Sequence, residues 1–436
     1  MTALSYRDLP WDELVQDDRV HRTVYTDPTL FPEEMRKLFG GVWTYLCHAS
    51  ELPEINSFKR VRMGLRPLIV TRTGESEYHA LFNRCAHRAA TVCQEESGRA
   101  KRFTCSFHGW TYTNDGKLLA AAYPKGYGEG FKKCDHGLKK IAQVEEYRGF
   151  IFGTLNPEMP PLDEYLGAAK DYLDYFIDRA PGKELIVQSG AYRGVYHGNW
   201  KICWDNAADG YHPAFGHRSL FEMTRLRNGG DKGGTHFSRD PDDSPMYCKT
   251  FPFGHGLLYQ RAGMGESLWE RVRPTPGGEV LEESLIENVG EKAAFEALEG
   301  APGAGLNLNI FPNLLIIGNQ ILVVEPLAHD KTQLTWYATT LLGAPDEVNQ
   351  LRMRIAEDFP NFGEIDDMES FERCWEGLQA PEAEWIFMHR GLQNPPERVE
   401  GKDGVTKVPT TDEAPMRNYL AYYREIMEKE VPLVVA

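Results

Sequence analysis

The sequence predicts an α+β protein with more than one domain: a small all-β domain, then a larger α+β domain with an antiparallel sheet and flanking helices. Three observations predict it. The chain has 436 residues, beyond the roughly 100–200 of one ordinary domain. From Phe58 to about Leu155 it reads as short apolar runs separated by turn residues, as in Pro67-Leu68-Ile69-Val70-Thr71, Ala80-Leu81-Phe82 and Phe150-Ile151-Phe152, which is strand and hairpin text. Beyond that stretch, helical and strand patterns follow one another without regular β-α alternation, which favours an antiparallel over a parallel sheet.

Between Trp11 and Trp43 the apolar residues Leu30, Phe31, Met35, Leu38 and Phe39 return at helical intervals, so residues 1–42 are expected to form a helical lead-in packed on the larger domain. Residues 43–157 are the expected β domain. Within it, Asn114-Asp115-Gly116 lies between Trp110-Thr111-Tyr112 and Lys117-Leu118-Leu119 and marks a hairpin, because Asn, Asp and Gly tolerate the backbone such turns need. The Pro-rich run Asn156 to Pro161 ends the last strand and opens the α+β domain, 158–436. There the text predicts a strand at Tyr192 to Tyr196, a helix at Asn199 to Leu220, and strands near Leu257, Asn309, Leu314, Ile321 and Gln333. A last helix is expected from about Pro415 to Lys429, with Thr410 and Glu413 as a capping-box pair ahead of it. The Gly/Asp-rich stretch Asn228 to Pro245 reads either as a lid or as an ordinary surface loop.

Forty-eight basic against 64 acidic residues give a formal charge of −16, without a long basic run, so nucleic acid and anionic membrane are poor partner candidates. The first residues hold no basic region followed by an apolar run, and no stretch approaches the roughly 18 apolar residues of a membrane span. Cys47, Cys93, Cys134, Cys203, Cys248 and Cys374 are scattered, the pattern of reduced thiols in a cytoplasm.

Two places carry metal chemistry. In the first, Cys85-Ala86-His87 and Cys105-Ser106-Phe107-His108 are two short loops that each offer a thiolate and an imidazole. Loops of that kind can meet at their tips and give one iron two thiolates and the other two imidazoles, the ligation of a Rieske [2Fe–2S] centre. A structural zinc site is the rival, although zinc modules more usually pair Cys with Cys and His with His at short spacing. Cys85 to Arg88, as Cys-x-His-Arg, and Cys105 to Trp110, as Cys-x-x-His-Gly-Trp, resemble the Rieske family. Ala89 departs from it, standing where the family more often has Gly.

In the second place, Asp205, Asp209 and His212 are spaced four and three apart, so on one helix they share a face and Asp209 can hydrogen-bond the His212 ring. His212 and His217 are five apart, roughly 140° around a regular helix. Both can point at one metal only if the helix is distorted near Pro213 and Gly216. Two His and one carboxylate form the facial triad of non-haem Fe(II) oxygenases. Asn199-Trp200-Lys201, Asp209-x-Tyr211-His212 and His217 resemble the mononuclear-iron motif of Rieske oxygenase large subunits, with Asp205 where Glu is more usual. The family takes its third ligand from an acidic pair late in the chain, and Glu364-Ile365-Asp366-Asp367-Met368-Glu369-Ser370-Phe371 matches it. Asp367 is the expected ligand and Asp366 the alternative.

The resemblance implies the terminal oxygenase component of a ring-hydroxylating system, holding a [2Fe–2S] cluster on Cys85, His87, Cys105 and His108 and Fe(II) on His212, His217 and Asp367. It also implies O2 as co-substrate, electrons drawn from NAD(P)H through a reductase or ferredoxin, and a homotrimer with or without a small β subunit. Asp209 would then bridge His212 to His108 of the adjacent chain. The acidic-pair motif, with Glu384-Trp385 and Arg390-Gly391-Leu392, resembles members acting on aromatic acids such as benzoate, salicylate or cumate. One or two oxygen atoms could enter the product. A neutral arene, O-demethylation and a pure Rieske electron carrier are the alternatives. Arg218 and Arg225 are candidates for binding a substrate carboxylate, and Phe215, Leu220, Met223, Leu308 and Phe311 for an apolar pocket.

Overall fold

The computed structural model describes residues 10–188, 190–227, 245–274 and 277–435; of the expected lid, only Pro245 lies among them. The chain divides into two compact units, one of Glu34–Leu162 with Glu430–Ala436 and one made of the chain up to Glu33 with Asp163–Lys429. The divisions fall at Glu33/Glu34 and Leu162/Asp163, against the expected 42/43 and 157/158. The last residues return to the β unit, where Val434 N–H donates to Leu155 C=O at 2.7 Å and Val435 pairs with Ile141.

The β unit is built of three antiparallel sheets. One orders Tyr78–Phe82, Arg66–Arg72, Ser57–Met63 and Ser97–Arg99; another orders Arg102–Thr104, Thr111–Thr113 and Leu118–Ala120; the third orders Gln143–Tyr147, Phe150–Thr154 and Thr44–His48. Their inward residues form two cores. Leu46, Met63, Leu68, Val70 and Ile151 pack one, and Phe58, Ile69, Leu81, Trp110 and Tyr112 gather around Cys85 and Cys105 in the other. The hairpin at Asn114–Gly116 forms as expected: Gly116 adopts φ +90°, its N–H donates to Thr113 C=O at 2.9 Å, and the two strands flank it.

The other unit is α+β. Its sheet runs antiparallel in the order Leu185–Val187, Lys331–Leu341, Gln320–Ala328, Leu314–Ile317, Leu306–Ile310, Gly256–Tyr259, Tyr247–Thr250, Thr406–Pro409, Glu397–Arg398, with Tyr192–Tyr196 also paired to Lys331–Leu341. Leu314, Leu315 and Ile316 are all fully buried, so both faces of the central strands are covered. Sequence reading passed over the helices Gly278–Val289 and Glu291–Gly300 and the short strand Arg19–His21, which pairs with Trp385–Phe387.

Two expectations fail here. The helix foreseen over Asn199 to Leu220 is three pieces, Trp200–Ala207, Pro213–Gly216 and Arg218–Arg227, because the backbone leaves helical geometry after Ala207. The capping box at Thr410 is absent: Asp412 Oδ1 accepts from Ala414 N–H at 2.7 Å, while Glu413 Oε2 accepts from Arg390 N–H. Helix Ala414–Glu428 therefore starts from Glu413 without a side-chain cap.

Asp205 also departs from its expected face. The helix ends at Ala207, so Asp205 and Asp209 share no helical stripe. Instead Asp205 is half-buried and accepts hydrogen bonds from the hydroxyls of Tyr25 (2.9 Å) and Tyr419. Lys201, one turn earlier and fully buried, sets its Nζ 5.6, 5.1 and 5.3 Å from the ring centres of Tyr25, Trp200 and Tyr423, within cation–π range. Burial pushes the Asp205 carboxyl up from 3.8 to about 7, against the pull of the two hydroxyls and Lys201. A folded-state pKa above the unfolded value means the folded chain holds this proton more tightly across that window. Its contribution to stability is therefore full below about pH 4 and lost as pH rises toward 7. Asp205→Asn, which does not titrate, should gain thermal stability relative to the parent between about pH 5 and pH 7.5. Melting curves at the two pH values check this, and an unchanged difference would contradict it.

Candidate functional site

The two β-unit loops are near copies of each other. Cys85 N–H donates to Ala90 C=O and Cys105 N–H to Trp110 C=O, both at 2.8 Å; Ala89 N–H closes back on Cys85 C=O at 3.0 Å and Gly109 N–H on Cys105 C=O at 2.9 Å. Both closing residues are left-handed, φ +63° at Ala89 and +68° at Gly109. Only the second is the residue that conformation favours, so Ala89 adds strain of roughly 1 kcal/mol that the loop closure overrides. The thiols of Cys85 and Cys105 are buried at the base, and the His87 and His108 rings lie 4.6 Å apart at the tips.

Other residues hold these four in place. His87 stacks on Trp110 at 5.0 Å with the rings 6° from parallel. Tyr112, which sequence reading treated only as a strand residue, brings its hydroxyl to 3.2 Å from Cys85 Sγ and accepts from Ala86 N–H at 3.0 Å. Strand alternation carries the signal, since Trp110 and Tyr112 sit two apart on the inward face. The buried Nδ1 of His87 has no partner among the described residues, and a buried orphan nitrogen beside two buried thiols is what a metal cluster would satisfy.

In the α+β unit the chain leaves helix Trp200–Ala207, turns through Ala208 to Tyr211 and re-enters with His212 and His217 at the two ends of Pro213–Gly216. The expected distortion is therefore present, with its interruption just upstream of Pro213. A second irregularity faces it: a π-helical turn, Phe359–Gly363, precedes helix Glu364–Gly377. Asp367 lies in the first turn of that helix. His212 Nε2 is 3.7 Å and His217 Nε2 3.4 Å from Asp367 Oδ1, and the three side chains can present donor atoms all within 4.8 Å of one another.

Each imidazole has a carboxylate behind it. Asp209 Oδ1 accepts from Tyr211 N–H (2.8 Å) and His212 N–H (3.1 Å), while its Oδ2 stands 3.6 Å from His212 Nδ1. Asp366, the alternative ligand, points to the far side: its Oδ2 is 3.7 Å from His217 Nδ1 and accepts from Ser219 Oγ at 3.2 Å. Burial opposes charge on His217, yet the carboxylates of Asp367 and Asp366 outweigh it and hold the imidazole above its ordinary range. Burial, reinforced by Asp367, pushes the Glu364 carboxyl well up. So concentrated a negative field around two imidazoles suits a cation.

Several pocket candidates fall away. Phe215 is 79% exposed, and Phe311 packs against Trp204 and Tyr419 in the core. Arg218 is exposed, and Arg225 forms a surface ion pair with Glu222 at 2.7 Å, so neither is held for a substrate carboxylate.

Residues 42–138 match the family model of the Rieske [2Fe-2S] domain, and residues 162–429 that of the ring hydroxylating alpha subunit (catalytic domain). This chain belongs to the ring-hydroxylating oxygenase α-subunit family. It is thus an oxidoreductase of the Rieske non-haem iron type, and a bare electron carrier is excluded by its catalytic domain. The α subunit is 37% identical over 392 residues to toluate 1,2-dioxygenase subunit alpha of Pseudomonas putida, covering 84% of this chain and 82% of that one. It is 35% identical to the 2-halobenzoate 1,2-dioxygenase large subunit of Burkholderia cepacia, over 88% and 82%. Among solved structures, naphthalene 1,2-dioxygenase from Rhodococcus sp. bound to indole aligns with a TM-score of 0.75 and 26% identity, covering 95% of each chain. Among the described residues, no helix is long and apolar enough to cross a membrane.

If Asp367 is the ligand and Asp366 its neighbour's support, their variants should part company. Asp367→Ala should cost about one iron per chain with the cluster's visible spectrum intact. Asp366→Asn should keep that iron but bind it about 10–100-fold more weakly, as chelator titration would read. Loss of iron from Asp366→Asn alone would exchange the two roles.

Proposed function

We propose that this α subunit is the terminal oxygenase of a cytoplasmic system that hydroxylates an aromatic carboxylic acid. It would use O2 and electrons passed from NAD(P)H by a reductase, with or without a ferredoxin. The convergence of His212, His217 and Asp367 within 4.8 Å carries the oxygenase reading. The substrate class rests on the relatives, whose names are those of toluate, 2-halobenzoate and anthranilate 1,2-dioxygenases.

Cys85, His87, Cys105 and His108 would hold the [2Fe–2S] cluster, and His212, His217 and Asp367 the Fe(II). When bound, the cluster supplies one-electron transfer and the iron supplies activation of dioxygen. The chain's own residues set the conditions. Three protein ligands would leave coordination positions of the iron free for oxygen and substrate. Asp209 and Asp366 fix the orientation of the two imidazoles. Tyr112 donates to the Cys85 sulfur once that sulfur is a thiolate, which shifts a cluster's potential upward.

We further assign the assembly as a homotrimer, with or without a β subunit, in which Asp209 links His212 of one chain to His108 of the next. Asp209 stands 3.6 Å from His212 Nδ1 with its other oxygen anchored on backbone N–H groups, so its carboxylate is oriented before any partner arrives. Asp209→Ala should retain cluster and iron while product formation falls by about 100-fold or more; normal turnover would remove Asp209 from this role. Oxygen uptake coupled to product, measured with a surrogate reductase over benzoate-type acids and neutral arenes, tests the substrate class. Coupling with the acids is expected. Coupling with neutral arenes alone would overturn the acid assignment.

A further inference from the structure

We propose that the face of the β unit formed by residues 117–140 is the docking surface for the electron-donor protein, and that it selects a donor with an acidic surface. The inference rests on the cluster assignment above and adds the place and the chemistry of the partner.

Charge is the first observation. Residues 117–140 contain Lys117, Lys125, Lys132, Lys133, Lys139 and Lys140 against Glu129 and Asp135, a net of 6 − 2 = +4, with Lys117 paired to Asp115 at 2.7 Å and the other lysines carrying the excess. The rest of the chain then carries −16 − 4 = −20. A basic segment in so acidic a protein attracts what the remaining surface repels. Lys125, Lys132 and Lys139 are exposed and make no ion pair among the described residues, and exposed Lys133 donates only to Leu119 C=O at 3.0 Å. Charges held in no internal pair are available to an incoming partner.

The second observation is apolar and independent of charge. Between these lysines stand Tyr123, 91% exposed, Leu119, 47%, and Tyr127, 38%. An exposed aromatic and aliphatic centre with a charged rim is the anatomy of a protein interface.

Position is the third. From His87, one of the four cluster-binding residues, ring contacts run outward: His87 on Trp110 at 5.0 Å, Trp110 to Phe131 at 5.7 Å, Phe131 on Tyr127 at 4.7 Å and on His136 at 4.8 Å. Trp110 Nε1 also donates to the Tyr127 hydroxyl at 3.1 Å. The basic face therefore lies over packed rings that lead to the cluster seat. The step served is a one-electron exchange: a donor's reduced [2Fe–2S] or flavin centre loses one electron and the group seated on Cys85, His87, Cys105 and His108 gains it.

The test combines Lys125→Glu, Lys132→Glu and Lys133→Glu in the full-length holoprotein, with an acidic plant-type [2Fe–2S] ferredoxin as probe. Calorimetric titration of the oxidised ferredoxin should show binding weakened about tenfold at low ionic strength, the gap closing in about 0.5 M salt. Stopped-flow reduction by the reduced ferredoxin should slow by a similar factor while reduction by dithionite is unchanged. Unaltered binding and rate would overturn the proposal, as would loss of the oligomer by light scattering, which would make this face a subunit contact. If dithionite elicits no Rieske electron-paramagnetic signal from the parent protein, the cluster assignment itself falls and takes the docking face with it. A normal signal with an unaffected ferredoxin reaction removes the docking face alone.

Discussion

Three candidate metal ligands from two distant parts of the sequence meet within 4.8 Å of one another, and no regular helix can bring them together. His212 and His217 are five residues apart, an offset that regular geometry turns away from a common point. The chain solves this by ending helix Trp200–Ala207 early and placing the two His at the ends of a single short turn. The opposing segment is irregular as well, since the π-helical turn Phe359–Gly363 precedes Asp367. Each irregularity gives up some helical hydrogen bonding. Asp209 recovers part of it by accepting from Tyr211 and His212 N–H groups in the gap.

Broken helices hold their geometry only if the regular elements on either side are fixed. Upstream, helix Trp200–Ala207 is tied by Asp205 to Tyr25 in the N-terminal segment and to Tyr419 in the last long helix, with Lys201 buried among the rings beside it. Downstream, helix Asp346–Asp358 leads into the π turn and is tied to the sheet by Arg352. That buried guanidinium donates to the carbonyls of Thr339 and Gly300 at 2.6 Å each and to Thr339 Oγ1 at 2.8 Å. Burial lowers its pKa to about 9, a measure of how strongly desolvation opposes the charge there. A cation satisfied by fixed carbonyls tolerates little displacement, because each lost bond leaves a buried group unpaired. The metal site is thus braced from both sides by polar groups that are expensive to disturb.

What could be read from sequence follows from how local each signal is. The paired loops were legible, because the four candidate ligands and their spacing lie within 24 residues, from Cys85 to His108. The need for distortion between His212 and His217 was legible from angular arithmetic. Its place was not, for the end of helix Trp200–Ala207 depends on tertiary partners of Asp205 that lie 180 and 214 residues away. Periodicity alone put Asp205 beside Asp209, and a helix that stops at Ala207 separates them. Asp366 and Asp367 are adjacent and chemically alike, so text could rank them only by resemblance; the helix directs one toward Nε2 of both imidazoles and the other to Nδ1 of His217. Phe215 was misread because an aromatic beside two candidate ligands suggests a pocket wall, whereas the short turn points it outward.

The two metal-binding places solve opposite electrostatic problems. In the β unit, buried thiols and a His87 ring stacked on Trp110 offer soft donors. In the α+β unit, Asp209, Asp366 and Asp367 crowd around two imidazoles, and Glu364 adds a fourth carboxyl, itself buried, nearby. Burial pushes the Glu364 carboxyl up and Asp367 adds repulsion to it, while Asp367 and Asp366 hold His217 above its ordinary range. A divalent ion would relieve that repulsion, so metal binding and local stability must rise together. The Rieske seat, closed by backbone hydrogen bonds at both loop bases, keeps much of its geometry from the chain alone. The same protein therefore holds one site shaped mainly by its backbone and another shaped mainly by the charge it awaits.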